Sequence, residues 1–497
     1  MKAPSQPSFY LLLIFIVLFA GACTGLSNPP RLATTTAQAA LPATPTSEPL
    51  IIAAPTTTAV SSTNISQPTD LSPNPVLSVW VNETSRVHEV ALKTMMDEFT
   101  AEYNIDVELM MVSPMLLPEL VNTAVVSATL PHIIIHPIEY TAGWAERGYF
   151  DIETTTAVLD QLGRDTFDPA ALELVNTSAG PTAIPIDGYQ QLLIYRKDWV
   201  AANRLSEPNN YEAMFALAEA TFDLENRLTT GFVIPTESNL VTTHQVFEQI
   251  AAANGCELID ENGEVLILEP ACQDALNFYY DIVHQFSPPG VQTDTSTRNA
   301  YLSGRTGMIM TSPRFLPQLA GLDPNAQPSC PECVDNPTFL IENSGILTTI
   351  SGYGSTSANF GAITSLGITR EADAETAVHF ADYWFNTGYP QWLAVESERK
   401  VPMRWGTADQ PRRFIDAWGT TPLADQTQTL TDIFGSELVT ILQNNIASST
   451  RWGIPQGQGA VMTDLYEERT LSIVLQEMLS GYFNSSKTQF EAYNRII

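Results

Sequence analysis

Basic residues are scarce in this chain: 23 Lys and Arg stand against 55 Asp and Glu, for a net charge of -32. A surface that tracks nucleic-acid phosphates needs clustered Lys and Arg, so nucleic acid is excluded as a partner. An anionic membrane would repel the body for the same reason. Charged residues make up only 16% of the sequence, so the acidity is a bias that favours solubility and says little about a ligand. Long apolar runs are also lacking. The most apolar stretch, residues 9 to 19, is too short to cross a bilayer, which takes about 20 residues in a helix. Catalytic and metal signatures are missing too. His132 and His136 bracket three isoleucines and would stand about 13 Å apart in a strand, too far to share one metal. Neither belongs to H-E-x-x-H, no G-x-S-x-G occurs, and the glycine-rich "SGYGSTS" lacks the lysine of a phosphate loop. No metal or other cofactor is expected.

The apolar run has the layout of a secretory signal, with Lys2 ahead of it and Ala20, Gly21 and Ala22 behind. Those small residues before Cys23 resemble the lipobox of bacterial lipoproteins. The resemblance implies a signal peptide over 1–22 and a lipidated Cys23; an ordinary Ala-x-Ala cut is the competing reading. Several acyl chains would hold the protein stably at a membrane. Residues 23–75 continue as Thr, Ser, Pro and Ala without helical or strand periodicity, which reads as a disordered tether. It would span about 40 Å as a flexible coil.

Only five cysteines occur, four of them beyond Cys23, an even number in a chain read as exported. Cys256 and Cys272 flank a turn at Glu261, Asn262 and Gly263, where a disulfide would staple a hairpin to the next helix. Cys330 and Cys333 form a single C-x2-C. Zinc wants four ligands and no second pair exists, and Pro and Asn surround the motif in place of a strand leading into a helix. A local structural disulfide is the expectation.

The remaining 420 or so residues exceed one ordinary core and imply two lobes. "PVLSVWVN", "IDVELMMV" and "PHIIIHP" read as strands separated by amphipathic helices. This order implies an α/β fold with a mostly parallel sheet, whose ligands bind at the carboxyl ends of strands. The end of the chain, from about Ser436, reads as several helices.

Across residues 76 to 497, "MMDEFTAEYNIDVEL", "LPHIIIHPIEYTAGWAERGYFDI", "PTAIPIDGYQQLLIYRKDWV", "YLSGRTGMIMTSPRFL" and "FGAITSLGITREADAETAVHFADYWFNTGYPQWL" occur in an order that resembles the extracellular solute-binding proteins of ABC importers, of the maltose- and sugar-binding type. The resemblance implies a periplasmic-binding-protein-like fold, two α/β lobes joined by crossing segments that close over a solute. Lobe one is expected at 76–184 and 306–350, and lobe two at 185–305 and 351–497. The ligand would be bound and not transformed, so no enzyme activity is expected. A sugar presents hydroxyls and weakly apolar C–H faces, and its cleft wants polar groups at the rim and aromatic planes above. Candidates at strand ends or in the matching loops are Trp80, Glu83, Glu139, Tyr140, Asp187, Tyr189, Arg314, Phe315, Tyr353, Ser355, Arg404 and Trp405. The implied partners are a small solute, first a sugar or oligosaccharide, the permease subunits of an ABC importer, and a membrane reached through the lipid. The protein is expected to be a monomer outside the cytoplasm. A surface-anchored glycan hydrolase and a receptor for a membrane sensor are the competing functions.

Overall fold

Alternating strands and helices build two sheets in the computed structural model, which describes residues 74–226, 228–423, 427–444 and 446–497. Cys23, the signal and the expected tether as far as residue 73 lie outside the described residues, while Asn74 and Pro75 at its end bond Asp106 beside β1. Ten strands carry the two principal sheets: β1 Val76–Val81, β2 Asp106–Met111, β3 Ile133–Pro137, β4 Ile184–Gln190, β5 Leu192–Arg196, β6 Thr230–Val233, β7 Thr306–Thr311, β8 Ser344–Leu347, β9 Gly361–Ile368 and β10 Val401–Pro402. The first sheet runs in the order β10-β4-β9-β3-β1-β2 and the second in the order β8-β5-β7-β6.

Local chemistry explains the first α/β units. Helix Arg86–Tyr103 starts where the Ser85 side chain accepts from the His88 N–H, and it ends at Asn104 in the left-handed region, φ 56°. It buries Leu92, Met95, Met96 and Phe99 at helical spacing beneath the first sheet. Strand β3 is buried on both faces at Ile133, Ile134 and Ile135, as an interior parallel strand requires.

The sheet is mixed where a mostly parallel one is expected. Strands β2, β1 and β3 are parallel, with Val79 beside Ile133, but β9 lies antiparallel to both β3 and β4, and β10 antiparallel to β4. The reason is connectivity: the chain leaves the first sheet at β4, builds the second, and re-enters at β9 from the opposite end. Only Gln191 separates β4 in one sheet from β5 in the other.

Strand pairing also corrects the expected lobe assignments. Segment 306–350 contributes β7 and β8, which pair with β5 in the second sheet, and 351–497 contributes β9 and β10 to the first. The first crossing falls at Gln191, past the expected boundary at 184 and 185.

The end of the chain is helical from Leu430 onward, in Leu430–Gln443, Gly459–Glu467, Thr470–Leu479 and Ser485–Ile496. Helix Gly459–Glu467 packs on helix Thr141–Glu146, where the Gly143 N–H donates to Thr463 Oγ1 at 3.1 Å. A Cβ on Gly143 would fall 2.5 Å from Thr463 Cβ, so glycine is what permits this approach. Helix Thr470–Leu479 packs instead on Val241–Ala253 and Pro270–Phe286, so the C-terminal segment braces both parts of the body.

The sulfurs of Cys256 and Cys272 lie at bonding distance, and so do those of Cys330 and Cys333. Between the first pair, Ile259 and Val265 form a short antiparallel bridge around a turn with Gly263 at φ +81°. Among the described residues no helix is long and apolar enough to cross a membrane.

Candidate functional site

Carboxyl ends of strands from both sheets meet at one cavity of about 320 Å³, at the small end of the range typical of ligand sites. Asn82 and Glu83 follow β1, and Glu139 and Tyr140 follow β3 in a 3-10 turn. Thr311, Ser312 and Arg314 come from the end of β7, and Tyr189 and Gln191 from the crossing. Helix Val241–Ala253 presents Thr242 and Gln245, and helix Asp294–Leu302 presents Asp294 and Arg298. The second of these helices is fixed by a capping box, Thr293 and Ser296 bonding each other's backbone N–H.

Three charged groupings face or back this cavity. In the first, Arg399 bonds Glu83 and, from Nε at 2.6 Å, Glu396 Oε2, while Arg314 Nη2 reaches Glu396 Oε1 at 2.7 Å. Burial opposes the Glu396 charge, but Arg399 and Arg314 outweigh it and hold that carboxyl below its usual range. Burial also opposes the Arg399 charge, and Glu83 and Glu396 outweigh it, so that guanidinium stays protonated. Two acids and two arginines therefore neutralise one another at this rim.

In the second grouping Arg451 lies between Glu139 and Glu248, at 3.1 Å from each, with all three side chains buried. Gln245 Nε2 also donates to Glu139 Oε1 at 3.0 Å. Burial raises the Glu248 carboxyl, against the pull of Arg451. In the third grouping Thr242 Oγ1 donates to Asp294 Oδ2 at 3.2 Å, burial raises the Asp294 carboxyl, and burial lowers Arg298. Among the described residues the Arg298 guanidinium makes no ion pair, though the Asp294 charge lies near enough to support its own.

Trp392 completes the lining. Its Nε1 donates to Asp187 Oδ2 at 2.6 Å, and the Lys400 ammonium stands over its ring. The indole is thus held in one orientation by a carboxylate at its edge and a cation on its face.

Of the residues singled out in the sequence, Glu83, Glu139, Tyr140, Tyr189 and Arg314 line this cavity. The others stand elsewhere. Trp80 is half-buried against the core, and Asp187 is buried behind Trp392. Phe315 is fully buried, edge-on to Tyr301 at 5.9 Å. Tyr353 is exposed and lies edge-on to Tyr211 at 5.1 Å; Ser355 is exposed beside it. Arg404 is buried and donates to the carbonyls of Phe385 at 2.8 Å and Leu162 at 3.1 Å, the work of a helix-end clamp. Trp405 donates its backbone N–H to Thr166 and packs half-buried on the core.

Sequence reasoning passed over Asn82, Thr242, Gln245, Asp294, Arg298, Trp392 and Arg399. Two signals were present: Asp294 and Arg298 stand four apart on a helix, and "ESERK", residues 396–400, concentrates charge directly after the apolar "YPQWLAV". Gln245 carried none, because its helix is buried nearly all round.

Solved structures share this architecture. T. maritima MalE3 with bound maltose superimposes with a TM-score of 0.65 at 17% identity, over 85% of this chain and 99% of that one. A sugar transporter protein from Arthrobacter chlorophenolicus A6 with bound laminaribiose gives 0.64 at 15%, over 85% and 98%. The GacH receptor of Streptomyces glaucescens GLA.O, solved with acarbose, gives 0.63 at 16%, over 85% and 98%. At such identities the likeness is one of fold: two lobes of mixed α/β structure. By sequence, the chain is 27% identical over 202 residues to YcjN of Escherichia coli (strain K12), whose name describes an ABC transporter periplasmic-binding protein. That stretch is 39% of this chain and 46% of YcjN, so the chain spans about half the length of this curated relative. The family profile described as bacterial extracellular solute-binding protein matches residues 94–388, more than half of the sequence. With that match over more than half of its length, the chain belongs to the bacterial extracellular solute-binding protein family.

Proposed function

We propose that this protein captures a sugar or oligosaccharide outside the cytoplasmic membrane, held there by lipid on Cys23, and delivers it to the permease of an ABC importer. The observation that carries this reading is a cavity between two sheets lined by carboxylates, guanidiniums, amides and aromatic rings whose charges largely cancel. A neutral polyhydroxyl ligand needs donors and acceptors in comparable number and no net counter-charge, which this lining supplies. The maltose, laminaribiose and acarbose held by proteins of the same fold support the same class. Binding without turnover is favoured because Glu83 and Glu139, the carboxylates that follow β1 and β3, are each tied to an arginine. Both carboxylates are therefore committed to contacts within the protein.

The test is a thermal-shift screen of the purified protein against maltose, laminaribiose, mannitol and ribitol, followed by product analysis after long incubation. A ligand at 100 times its dissociation constant stabilises the folded state by about 2.7 kcal/mol. A shift with intact sugar is the expected result; cleaved sugar would replace capture with hydrolysis.

A further inference from the structure

Glu139 is 2% exposed, yet its two carboxylate oxygens have different surroundings. Oε1 accepts from Arg451 Nη2 at 3.1 Å and from Gln245 Nε2 at 3.0 Å. Oε2 has no hydrogen-bond partner among the described residues, and the side chain lines the cavity. Leaving a buried carboxylate oxygen without a donor is costly, so a donor brought to Oε2 from the cavity side would complete the arrangement.

Arg451 is outside the lining and is held on every side. Its Nη1 donates to the Gly361 carbonyl at 2.8 Å, its Nε to Glu248 Oε1 at 3.1 Å, and its guanidinium lies 4.3 Å from the centre of the Phe360 ring. Glu248 is fixed in turn by the Trp452 N–H at 2.8 Å and the Tyr466 hydroxyl at 2.9 Å. Gly361 opens β9 of the first sheet, and Glu139 stands in the 3-10 turn that follows β3. Gln245 and Glu248 stand on helix Val241–Ala253, which packs on Pro270–Phe286 and through it on β6 of the second sheet. Arg451 therefore joins the cavity's carboxylate in one lobe to a helix of the other.

We infer that Glu139 Oε2 is the specificity-determining acceptor for a ligand hydroxyl, and that Arg451 is the positioning residue that fixes it. The inference rests on the sugar-capture reading. A hydroxyl donating to a carboxylate makes a bond roughly twice as strong as one between neutral groups. A ligand offering only an ether oxygen at that place would set lone pair against lone pair. The selected class is thus a sugar or polyol with a free hydroxyl at this position, and its O-methylated counterpart is rejected.

The experiment takes whichever of maltose, laminaribiose, mannitol or ribitol binds the wild type and measures its Kd by calorimetry for Glu139→Gln, Arg451→Lys, Arg451→Met and the Glu139→Gln/Arg451→Met double variant. Val126→Ser, an exposed change on a distant helix face, is the control. Glu139→Gln turns the free acceptor into a neutral amide and is expected to weaken binding about ten-fold or more. Arg451→Met is expected to lose a similar factor, Arg451→Lys less, and the double variant no more than the worse single change, because both remove one unit. Should Arg451→Met fail to fold, Gln245→Leu carries the test, with a smaller expected loss. A merely structural Arg451 would lower the melting temperature and leave the Kd of the folded fraction unchanged. Wild-type affinity in Glu139→Gln, or additive losses in the double variant, would overturn the inference while the sugar reading stands. A wild type that binds none of the four probes overturns both.

Discussion

Lys400 Nζ lies 3.3 Å from the centre of the Trp392 ring and donates to the Trp392 carbonyl at 2.9 Å, while the indole Nε1 of the same residue donates to Asp187. A buried cation and a buried carboxylate thus clamp one cavity tryptophan from two directions. Burial raises the Asp187 carboxyl and lowers the Lys400 ammonium, each held partly in check by the other's charge. Removing the cation alone leaves the buried Asp187 with the indole N–H as donor but without the charge that most offsets its burial. Burial lowers the Lys400 pKa to about 7, so the ammonium is charged at and below neutrality, where Lys400→Met is expected to cost about 1 to 3 kcal/mol. In that variant the native state keeps a proton on Asp187 that the unfolded chain releases, so stability falls as pH rises above the ordinary carboxylate range. Urea melts near neutrality and near pH 5 check this; a loss that is no smaller in acid refutes it.

His136 is fully buried between Ile134 O and Thr141 Oγ1, each at 3.1 Å from a ring nitrogen, and burial pushes its pKa down to about 4. An unfolded histidine titrates near 6.5, so between about 6.5 and about 4 the unfolded chain binds a proton that the native state refuses. The stability contributed by neutral His136 is whole above that window and is lost as pH falls through it, by on the order of 3 kcal/mol at the limit. His136→Gln is expected to show a shallower decline in unfolding free energy across the window than the wild type. Parallel pH curves for the two proteins would refute the assignment.

Arg298 reaches the cavity without joining its ion pairs. We expect Arg298→Met to weaken sugar binding about ten-fold, a loss of one charge-assisted hydrogen bond, read as a change in Kd by calorimetry. Its far-ultraviolet dichroism should match the wild type, since no ion pair among the described residues includes it.

The two disulfide pairs close loops of different length, with sequence separations of 16 and 3. The chain-entropy argument gives about 3 kcal/mol for the first and about 2 for the second. Cys256→Ala/Cys272→Ala should therefore lower the urea midpoint more than Cys330→Ala/Cys333→Ala, and the reverse order would contradict the loop argument.

Packing between Gly143 and Thr463 offers a test of the C-terminal brace. Gly143→Ala must displace helix Gly459–Glu467 and is expected to cost about 1 to 3 kcal/mol by overpacking. An unchanged melting temperature would mean that the helix shifts without penalty.

The α/β class and both halves of the opening strand-helix-strand-helix-strand unit were legible because each carries its own local pattern. The isoleucine run of β3 and the apolar stripe through Met95 and Phe99 need no distant partner to be recognised. Five of the twelve cavity candidates follow from the same logic, since Glu83, Glu139 and Tyr140 lie just past strands that the sequence marks, and Tyr189 and Arg314 at the crossing and the end of β7. Phe315 sits beside Arg314 in the chain but faces the core, because consecutive residues in a 3-10 turn point in different directions. Arg404 and Trp405 were assigned by resemblance to a late loop, and their burial against helix ends places them away from the ligand cavity.

The sequence by itself determined the strands, the helices and their caps, the acidic bias and the family membership, because propensity, periodicity and motif order act over short stretches or accumulate along the chain. Tertiary structure alone decided that β9 returns to the first sheet, that Arg451 stands between Glu139 and Glu248 across separations of 312 and 203 residues, and that Trp392 is clamped by Asp187. Such pairings depend on which strand edges meet and which helices face each other when the core forms, and a side chain's local sequence carries no record of a partner that only closure of the whole chain supplies.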